Sequence, residues 1–359
     1  MKKRNLRHAT VVVTGATSGI GRAIALEFAK QGANLVLAAR NETNLLEMTQ
    51  ECMRLGAHAI GVPTDTTDSE SVEGLAAQAV KTFDGRIDVW VNDAGIGTVG
   101  EFTETPLEAH VQVVKTNLIG YMNGCHAALH YMKEQKSGTI INMNSLGAWL
   151  PLPYASGYSA SKFGLLGFME ALRGELANEP DIHVCDIYPV CVDTPGFHHA
   201  GNYVGVSLKA VPPVVSPELI ARTAVSVAQH PRDQTTIGWP IYAGRAVYAA
   251  FPKTVRNLTG FLFREYFGVA VPAPRTEGSI FESHPEHGRV SGGRGASPDI
   301  SKPLLIGAAS LALGLGIFLA QKRKKASTLE LAQNDDVEFD GYDRALTAMR
   351  MQGTFAAQR

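Results

Sequence analysis

The sequence has few cysteines and almost no net charge. Cys52, Cys125, Cys185 and Cys191 are its only cysteines among 359 residues, and their spacing fits neither a zinc site nor a thioredoxin motif. We therefore expect free thiols in a reducing compartment, not a disulfide framework. With 33 basic and 34 acidic residues, the net charge is −1, so no broad basic field predicts a nucleic acid as partner.

A cleavable signal peptide is also not expected. The chain begins with the basic residues Lys2 to Arg4, but only a few apolar residues follow before the glycine-rich stretch at Gly15. A secretory signal needs a longer apolar core than this.

The first informative motif is a glycine-rich turn. Thr10 to Val13 form an apolar, strand-like run, Thr14 to Gly21 contain three glycines, and residues 22–28 have a helical pattern. A strand, a tight glycine turn and a helix leave backbone N–H groups at the helix N-terminus, where a pyrophosphate binds well. The pattern predicts a dinucleotide-binding turn.

A second motif places a tyrosine and a lysine on one helical face. Tyr158 and Lys162 are four residues apart, so an ammonium would lie near a phenol and favour its ionised form. A phenol with an ordinary pKa of about 10 would thereby become an acid/base near neutrality. On its own, the spacing is a weak signal, because it is far more often found on an ordinary amphipathic helix than at a catalytic site.

Two further motifs lie between these. Asn92 to Gly95 (Asn-Asp-Ala-Gly) end the strand-like run from Ile87 to Val91, and Ser145 follows the strand-like run from Thr139 to Met143. In this order, the four motifs resemble those of the short-chain dehydrogenase/reductase family over about the first 240 residues. The sequence departs from the family pattern at Asp93, usually asparagine, and at Val190, usually glycine. Neither departure removes a catalytic group.

The resemblance implies a catalytic set and a cofactor set. Tyr158 would donate and accept the proton, Lys162 would lower the phenol's pKa and bind the nicotinamide ribose, and Ser145 would hydrogen-bond the substrate oxygen. Asn117 would hold a water that links Lys162 to solvent, unless it only caps or kinks a helix. The implied cofactor contacts are Gly15, Ser18, Gly19, Ile20, Gly21, Arg22, Arg40, Asp65, Asn92, Ala94, Gly95, Tyr158, Lys162, Pro189, Val192 and Thr194.

The end of the predicted second strand bears on the choice of cofactor. NAD enzymes usually place an acid there for the ribose 2′-hydroxyl, but this chain has Ala39 and Arg40. Arg40 could pair with a 2′-phosphate, and Arg22 could add a second positive charge. We therefore expect NADP, with NAD as the alternative. Asp65 resembles the family's adenine-contacting acid, or is simply a loop or N-cap aspartate.

Apolar runs alternate with helical patterns through the first two-thirds of the chain. This alternation predicts a doubly wound, parallel Rossmann-type sheet in an α/β domain. The predicted strands are Thr10 to Val13, Asn34 to Ala39, Ala57 to Val62, Ile87 to Val91, Thr139 to Met143 and Ile182 to Ile187, with Thr235 to Ile237 as a possible seventh.

Apolar residues near the predicted site favour a lipophilic ketone, aldehyde or secondary alcohol as substrate. These residues are Trp149 to Pro153, Phe197 and Tyr203. The pair His198 and His199 lacks a further ligand at metal-binding spacing, so no metal site is expected. The aromatic residues of 247–269 indicate either a helix packed on the pocket or a subunit, or a surface that touches membrane.

The C-terminal composition predicts four regions: a catalytic domain over 1–270, a flexible linker over 271–302, a membrane-associated helix over 303–321 and a disordered tail over 322–359. Leu304 to Ala320 carry no charge and precede Lys322 to Lys325. A helix of that length spans about 25 Å against a hydrocarbon core of about 30 Å, which is short for a membrane span. A docked soluble helix is the alternative.

Together these features predict a membrane-associated, cytoplasm-facing NADP-dependent oxidoreductase, and the resemblance to the family implies a homo-oligomer that packs through the helices around residues 107–132 and 158–177. A dehydratase or epimerase of the same fold is disfavoured, because such members of the family generally carry a Gly-x-x-Gly-x-x-Gly turn and a larger substrate domain, neither of which appears in this sequence. A membrane-tethered nucleotide-binding scaffold with little turnover is the alternative from another class, and turnover by the purified protein discriminates between the two.

Overall fold

A computed structural model of the chain describes residues 4–210, 214–238, 240–283 and 288–293. Its elements follow in chain order: β1 Thr10–Thr14, α1 Gly19–Lys30, β2 Asn34–Ala39, α2 Glu42–Arg54, β3 His58–Pro63, α3 Ser69–Thr82, β4 Val89–Asn92, β5 Thr98–Val99, α4 Leu107–Val114, a π-helical turn Lys115–Ile119, α5 Gly120–Glu134, β6 Gly138–Met143, a 3₁₀ turn Leu146–Ala148, α6 Ser156–Glu175, β7 Ile182–Pro189, β8 Cys191–Val192, α7 Gly196–His199, β9 Gly201–Asn202, β10 Val214–Val215, α8 Pro217–Gln229, β11 Gln234–Ile237, α9 Pro240–Ala250 and α10 Pro252–Val269.

The main sheet of the described chain has seven parallel strands. Their order is β11-β7-β6-β4-β1-β2-β3. Every sequence-predicted strand is present, including the seventh, and the predicted doubly wound fold is confirmed. Because the strands are parallel, the carboxyl ends of β1, β4, β6 and β7 meet at one edge, where ligands bind in such folds.

Each face of the sheet is covered by helices. Along β1, Val11 and Val13 join a core that contains Ile24 of α1, whereas Val12 joins the opposite core with Met132 of α5. This alternation is the two-residue period of a strand buried on both faces. The core on each side holds the strand ends rigidly in place.

Helix starts differ in how they are capped. Asn41 accepts the N–H of Asn44 at α2, and Asp68 caps α3 in the same way with the N–H of Glu70. Ser18, at the N-cap of α1, makes no side-chain cap bond. The first-turn N–H groups of α1 are therefore left to acceptors other than the Ser18 side chain.

Beyond α10, the described chain folds back over the body. Residues 271–283 and 288–293, here called the strap, begin with an antiparallel pairing of Thr276 to Asn202 and of Pro272 to Val206. Ile280 is fully buried. Composition predicts a flexible linker here, but backbone hydrogen bonds hold these residues in place. Composition does not reveal such bonds, because small polar residues carry the same backbone donors and acceptors as other residues.

None of the helices in the described ranges is both long and apolar enough to cross a membrane. The predicted membrane-associated segment, Leu304 to Ala320, lies outside those ranges, as does the predicted tail.

Candidate active site

The glycine turn closes tightly against the second motif. Gly15 and Gly19 have φ values of +68° and +55°, which favour glycine. A Cβ on Gly15 would lie 2.9 Å from the backbone of Ala94, and one on Gly21 would lie 2.3 Å from the Gly15 oxygen. Only glycine therefore allows β1, α1 and the Asn92 to Gly95 loop to meet so closely.

Thr14 ties the two motifs together. Its hydroxyl accepts the N–H groups of Asp93 at 3.1 Å and Ala94 at 3.3 Å and donates to the Val91 oxygen. Asn92 itself lies within the sheet, where its amide donates to Asn142 at 2.9 Å and accepts from Trp90. In this structure Asn92 has a structural role, holding β4 beside β6.

The Ser145, Tyr158 and Lys162 side chains converge at the carboxyl edge of the sheet. Ser145 follows β6, and Tyr158 and Lys162 lie on one face of α6. The Ser145 hydroxyl hydrogen-bonds to the Tyr158 hydroxyl and accepts the Gly147 N–H at 3.1 Å. The Lys162 ammonium lies 5.8 Å from the Tyr158 ring centroid.

The pKa of Tyr158 differs from the sequence expectation. Burial raises the pKa of this phenol, and the Ser145 hydrogen bond offsets that effect only in part. Lys162 was expected to lower it, but burial also disfavours the ammonium and lowers the pKa of Lys162 to about 8. Four-residue spacing brings the two groups to one face, whereas desolvation decides the direction of the shift.

Asp93, the departure from the family pattern, is electrostatically linked to Lys162. Burial raises the pKa of this carboxyl to about 7, opposed by the Lys162 charge and by the Gly21 N–H. The same carboxylate counteracts the lowering of the Lys162 pKa. Sequence motifs alone do not reveal this pairing.

Asn117 is fully buried in the π-helical turn between α4 and α5. Its amide oxygen accepts the Ile96 N–H at 2.9 Å, and its amide nitrogen donates to the Ile96 oxygen at 2.8 Å. The side chain thus braces the loop after Gly95. The water-holding role stays a prediction.

The two arginines expected to bind phosphate have different surroundings. Arg22 forms an ion pair with Glu51 of α2, which neutralises the second positive charge that the sequence predicts. Arg40 lies at the cleft and donates to the backbone oxygens of Ser279 at 3.1 Å and Phe281 at 2.9 Å. Asp65 accepts the N–H and hydroxyl of Thr67 within the loop before α3, whose N-cap is Asp68.

A single cleft collects many of the predicted contacts. Its lining includes Gly15, Ser18, Arg40, Asp65, Ala94 and Gly95, together with Ser279, Ser283 and Gly288 of the strap. Gly19 and Thr194 adjoin it, since a Cβ on Gly19 would lie 3.4 Å from Thr194. Pro189 ends β7 within the sheet, and Val192 is buried in the core beside it.

Residues 9–202 match the profile of the short chain dehydrogenase family. The chain belongs to this family. It is accordingly an NAD(P)-dependent dehydrogenase or reductase acting on CH–OH groups, as its sequence motifs predicted.

Three known proteins illustrate the relationship. An uncharacterized oxidoreductase, YxnA of Bacillus subtilis, is 33% identical over 287 residues, which cover 79% of this chain and 80% of that protein. The 3-ketodihydrosphingosine reductase of Bos taurus is 32% identical over 64% of this chain and 71% of its own. An alcohol dehydrogenase from Thermococcus sibiricus, solved with 5-hydroxy-NADP, superposes with a TM-score of 0.56 at 26% identity, covering 64% of this chain and 95% of its own.

The surroundings of two aromatic residues, Trp149 and Tyr154, were not evident from the sequence. Trp149 was expected at the pocket wall, but its ring stacks on Tyr188 in the core, 4.1 Å between centroids. Tyr154 was not singled out, yet it contacts Phe263 and Phe267 of α10. Its φ of +66°, unusual for a tyrosine, leaves no signature in the sequence.

Proposed function

We propose that this protein is an NADP(H)-dependent oxidoreductase that interconverts an apolar ketone or aldehyde and the corresponding alcohol. The convergence of Ser145, Tyr158 and Lys162 beside the glycine turn carries the proposal. Turnover distinguishes it from the alternative of a nucleotide-binding scaffold.

The residues at the carboxyl edge fit a dinucleotide. The close approach at Gly15 and Gly21 leaves room only for bare backbone, and the N-terminus of α1 offers its N–H groups to phosphate. Gly15, Ser18, Gly19, Ile20, Gly21, Ala94, Gly95 and Thr194 would line the cofactor, and Asp65 would face the adenine. The nicotinamide supplies the hydride.

The protein's own task is to move a proton and orient the substrate. Tyr158 would donate its hydroxyl proton to the carbonyl oxygen during reduction and recover it during oxidation. Ser145 would hold the same oxygen, because its hydroxyl already points at that of Tyr158. Lys162 would contact the ribose and, with Asn117, connect the site to solvent for proton exchange.

The preference for NADP depends on Arg40. The cleft contains this arginine, and the preceding residue, Ala39, offers no carboxylate to accept a hydrogen bond from a ribose 2′-hydroxyl. A guanidinium suits a phosphate because it offers a planar set of donors. The Thermococcus sibiricus relative, solved with an NADP derivative, supports the same preference.

Apolar side chains favour a lipophilic substrate. Tyr154, Phe263 and Phe267 form an aromatic cluster where α10 packs beside the loop that leads to Tyr158. The relationship to a 3-ketodihydrosphingosine reductase points towards a ketone on a long apolar chain.

Membrane attachment and oligomerisation complete the proposal. Exposed apolar residues Phe251, Leu262 and Val269 of the C-terminal helices, with Leu304 to Ala320, would face a cytoplasmic membrane surface. The long helices α4 to α6 expose apolar residues that would pack against a second copy.

Replacing Tyr158 with phenylalanine tests the proposed chemistry. Tyr158→Phe deletes one hydroxyl, so turnover of a ketone panel should fall by more than about a hundredfold while NADPH still binds. Tyr131→Phe, on α5, is the matched control and should keep its activity. Near-normal turnover by Tyr158→Phe would exclude this residue as the proton donor.

A further inference from the structure

The strap covers the proposed nucleotide cleft with its own backbone oxygens. Ser279 and Phe281 each accept a hydrogen bond from the Arg40 guanidinium, and Arg289 accepts the Gly19 N–H at 2.7 Å. Three strap carbonyl oxygens therefore accept hydrogen bonds from donors that the phosphates of a dinucleotide would need. They occupy both the predicted 2′-phosphate position and the predicted pyrophosphate turn.

Steric contact accompanies these bonds. A Cβ on Gly288 would lie 1.7 Å from the Thr17 oxygen, so the strap backbone lies directly on the glycine turn. Gly292 donates to the Asp193 oxygen at 3.1 Å, and the Ser291 hydroxyl donates to the Asp193 carboxylate at 2.8 Å. The strap thus also holds the loop that contains Thr194.

The strap is anchored at its start by paired backbone hydrogen bonds. Thr276 and Asn202 exchange two of them, and Ala273 donates to Gly205. Over the cleft, the oxygens of Ser279, Phe281 and Arg289 accept hydrogen bonds from Arg40 and Gly19, and these can be exchanged for bonds to another acceptor. Fully buried Ile280 packs against Gly201 in this part of the strap, so displacement must also uncover its side chain.

We propose that the strap is a built-in competitor of the nucleotide, which must displace residues 279–283 and 288–292 from the cleft in order to bind. The physical reason is that the strap oxygens and the phosphate oxygens compete for the same hydrogen-bond donors. A 2′-phosphate on the same edge of Arg40 would face the Ser279 and Phe281 oxygens. The one N–H of Gly19 cannot bind both the Arg289 oxygen and a phosphate. The inference rests on the proposed use of NADP(H).

Association kinetics test the proposal. In the full-length protein, Gly288→Ala places a methyl group against the Thr17 backbone and should loosen the strap. The association rate constant for NADPH, followed by its fluorescence, should then rise at least about threefold. Gly74→Ala is the matched control, since its Cβ would meet no atom within 4 Å, and it should leave the rate unchanged.

Ser291→Ala provides a second, gentler variant. It removes one bond to Asp193 without adding volume, so it should raise the association rate even if Gly288→Ala folds poorly. Equal association rate constants for NADPH in wild type and Ser291→Ala would overturn the strap proposal and leave the proposed function intact. Failure of every variant, including wild type, to bind NADPH would instead overturn the proposed function.

Hydrogen exchange gives a readout independent of turnover. The amides of Ser279 and Gly292 are hydrogen-bonded to His199 and Asp193, and they should exchange faster when NADPH is added because the strap leaves the cleft. The paired amide of Thr276 should remain protected as an internal control. Slower exchange at Ser279 and Gly292 on adding NADPH would contradict displacement, because it would make the strap part of the nucleotide-binding wall.

Discussion

The Lys162 ammonium donates to the Met143 backbone oxygen, with Nζ and O 2.8 Å apart. The Tyr121 hydroxyl donates to the same oxygen at 3.1 Å, and the ammonium lies over the Tyr121 ring. One carbonyl at the end of β6 therefore fixes the lysine beside Tyr158. The charge is buried, with only 4% of Lys162 exposed.

Burial of this charge predicts a pH dependence of stability. The pKa of Lys162 is about 8 in the folded protein, against about 10.5 ordinarily. Between these values the unfolded chain binds more protons, so Lys162 makes the free energy of unfolding increase as pH rises from 8 to 10.5. At about 1.4 kcal/mol per pKa unit, the increase is on the order of a few kcal/mol.

Denaturant unfolding at pH 7.5, 9 and 10.5 checks this prediction. Lys162→Met removes the titrating group, so wild type should gain stability relative to that variant as pH rises. Lys133→Met, at an exposed position on α5, is the control and should follow wild type. Parallel pH profiles for wild type and Lys162→Met would contradict the burial argument.

The end of β2 should set the cofactor preference. Ala39→Asp combined with Arg40→Ser introduces an acceptor for the ribose 2′-hydroxyl and removes the partner of a 2′-phosphate. The ratio of kcat/KM for NADPH to that for NADH should fall at least about tenfold. Because losing Arg40 also loosens the strap for both nucleotides, the ratio is the informative quantity. Tighter binding of NADH than NADPH by wild type would refute this interpretation.

Exposed apolar residues on α4, α5 and α6 should form a subunit interface. Leu107, Val111, Met122 and Phe163 have 38–62% of their surface exposed. We expect a homo-oligomer at micromolar concentration in sedimentation velocity, and Phe163→Glu should shift it towards monomer by placing a charge in an apolar contact. Leu46→Glu, on α2, is the control. A strictly monomeric wild-type protein would contradict the predicted subunit interface.

The apolar segment from Leu304 to Ala320 should bind membranes. Full-length protein should sediment with vesicles and resist extraction by high salt, because apolar burial is not screened by ions, unlike attraction between Lys322 to Lys325 and lipid headgroups. Truncation before Pro303 should give a soluble, active enzyme. Release by salt alone would indicate a peripheral contact, and full solubility without detergent would exclude the membrane.

Much of the fold and the site could be read directly from local patterns. The parallel strands appear as short apolar runs, the turn at Gly15 to Gly21 requires glycine for its backbone angles, and four-residue spacing puts Tyr158 and Lys162 on one face of α6. Each of these features depends on residues close together in the chain, so sequence alone predicts it.

Other features depend on which distant groups meet, and these appeared only in the folded chain. Glu51 neutralises Arg22 across 29 residues, Trp149 stacks on Tyr188 instead of lining the pocket, and burial raises the Tyr158 pKa against the expected effect of Lys162. Arg40 meets Phe281 across 241 positions, through backbone oxygens that every residue possesses. Neither the burial of a charge nor a contact to a backbone oxygen can be predicted from residue identity, because both arise only when packing brings remote segments together.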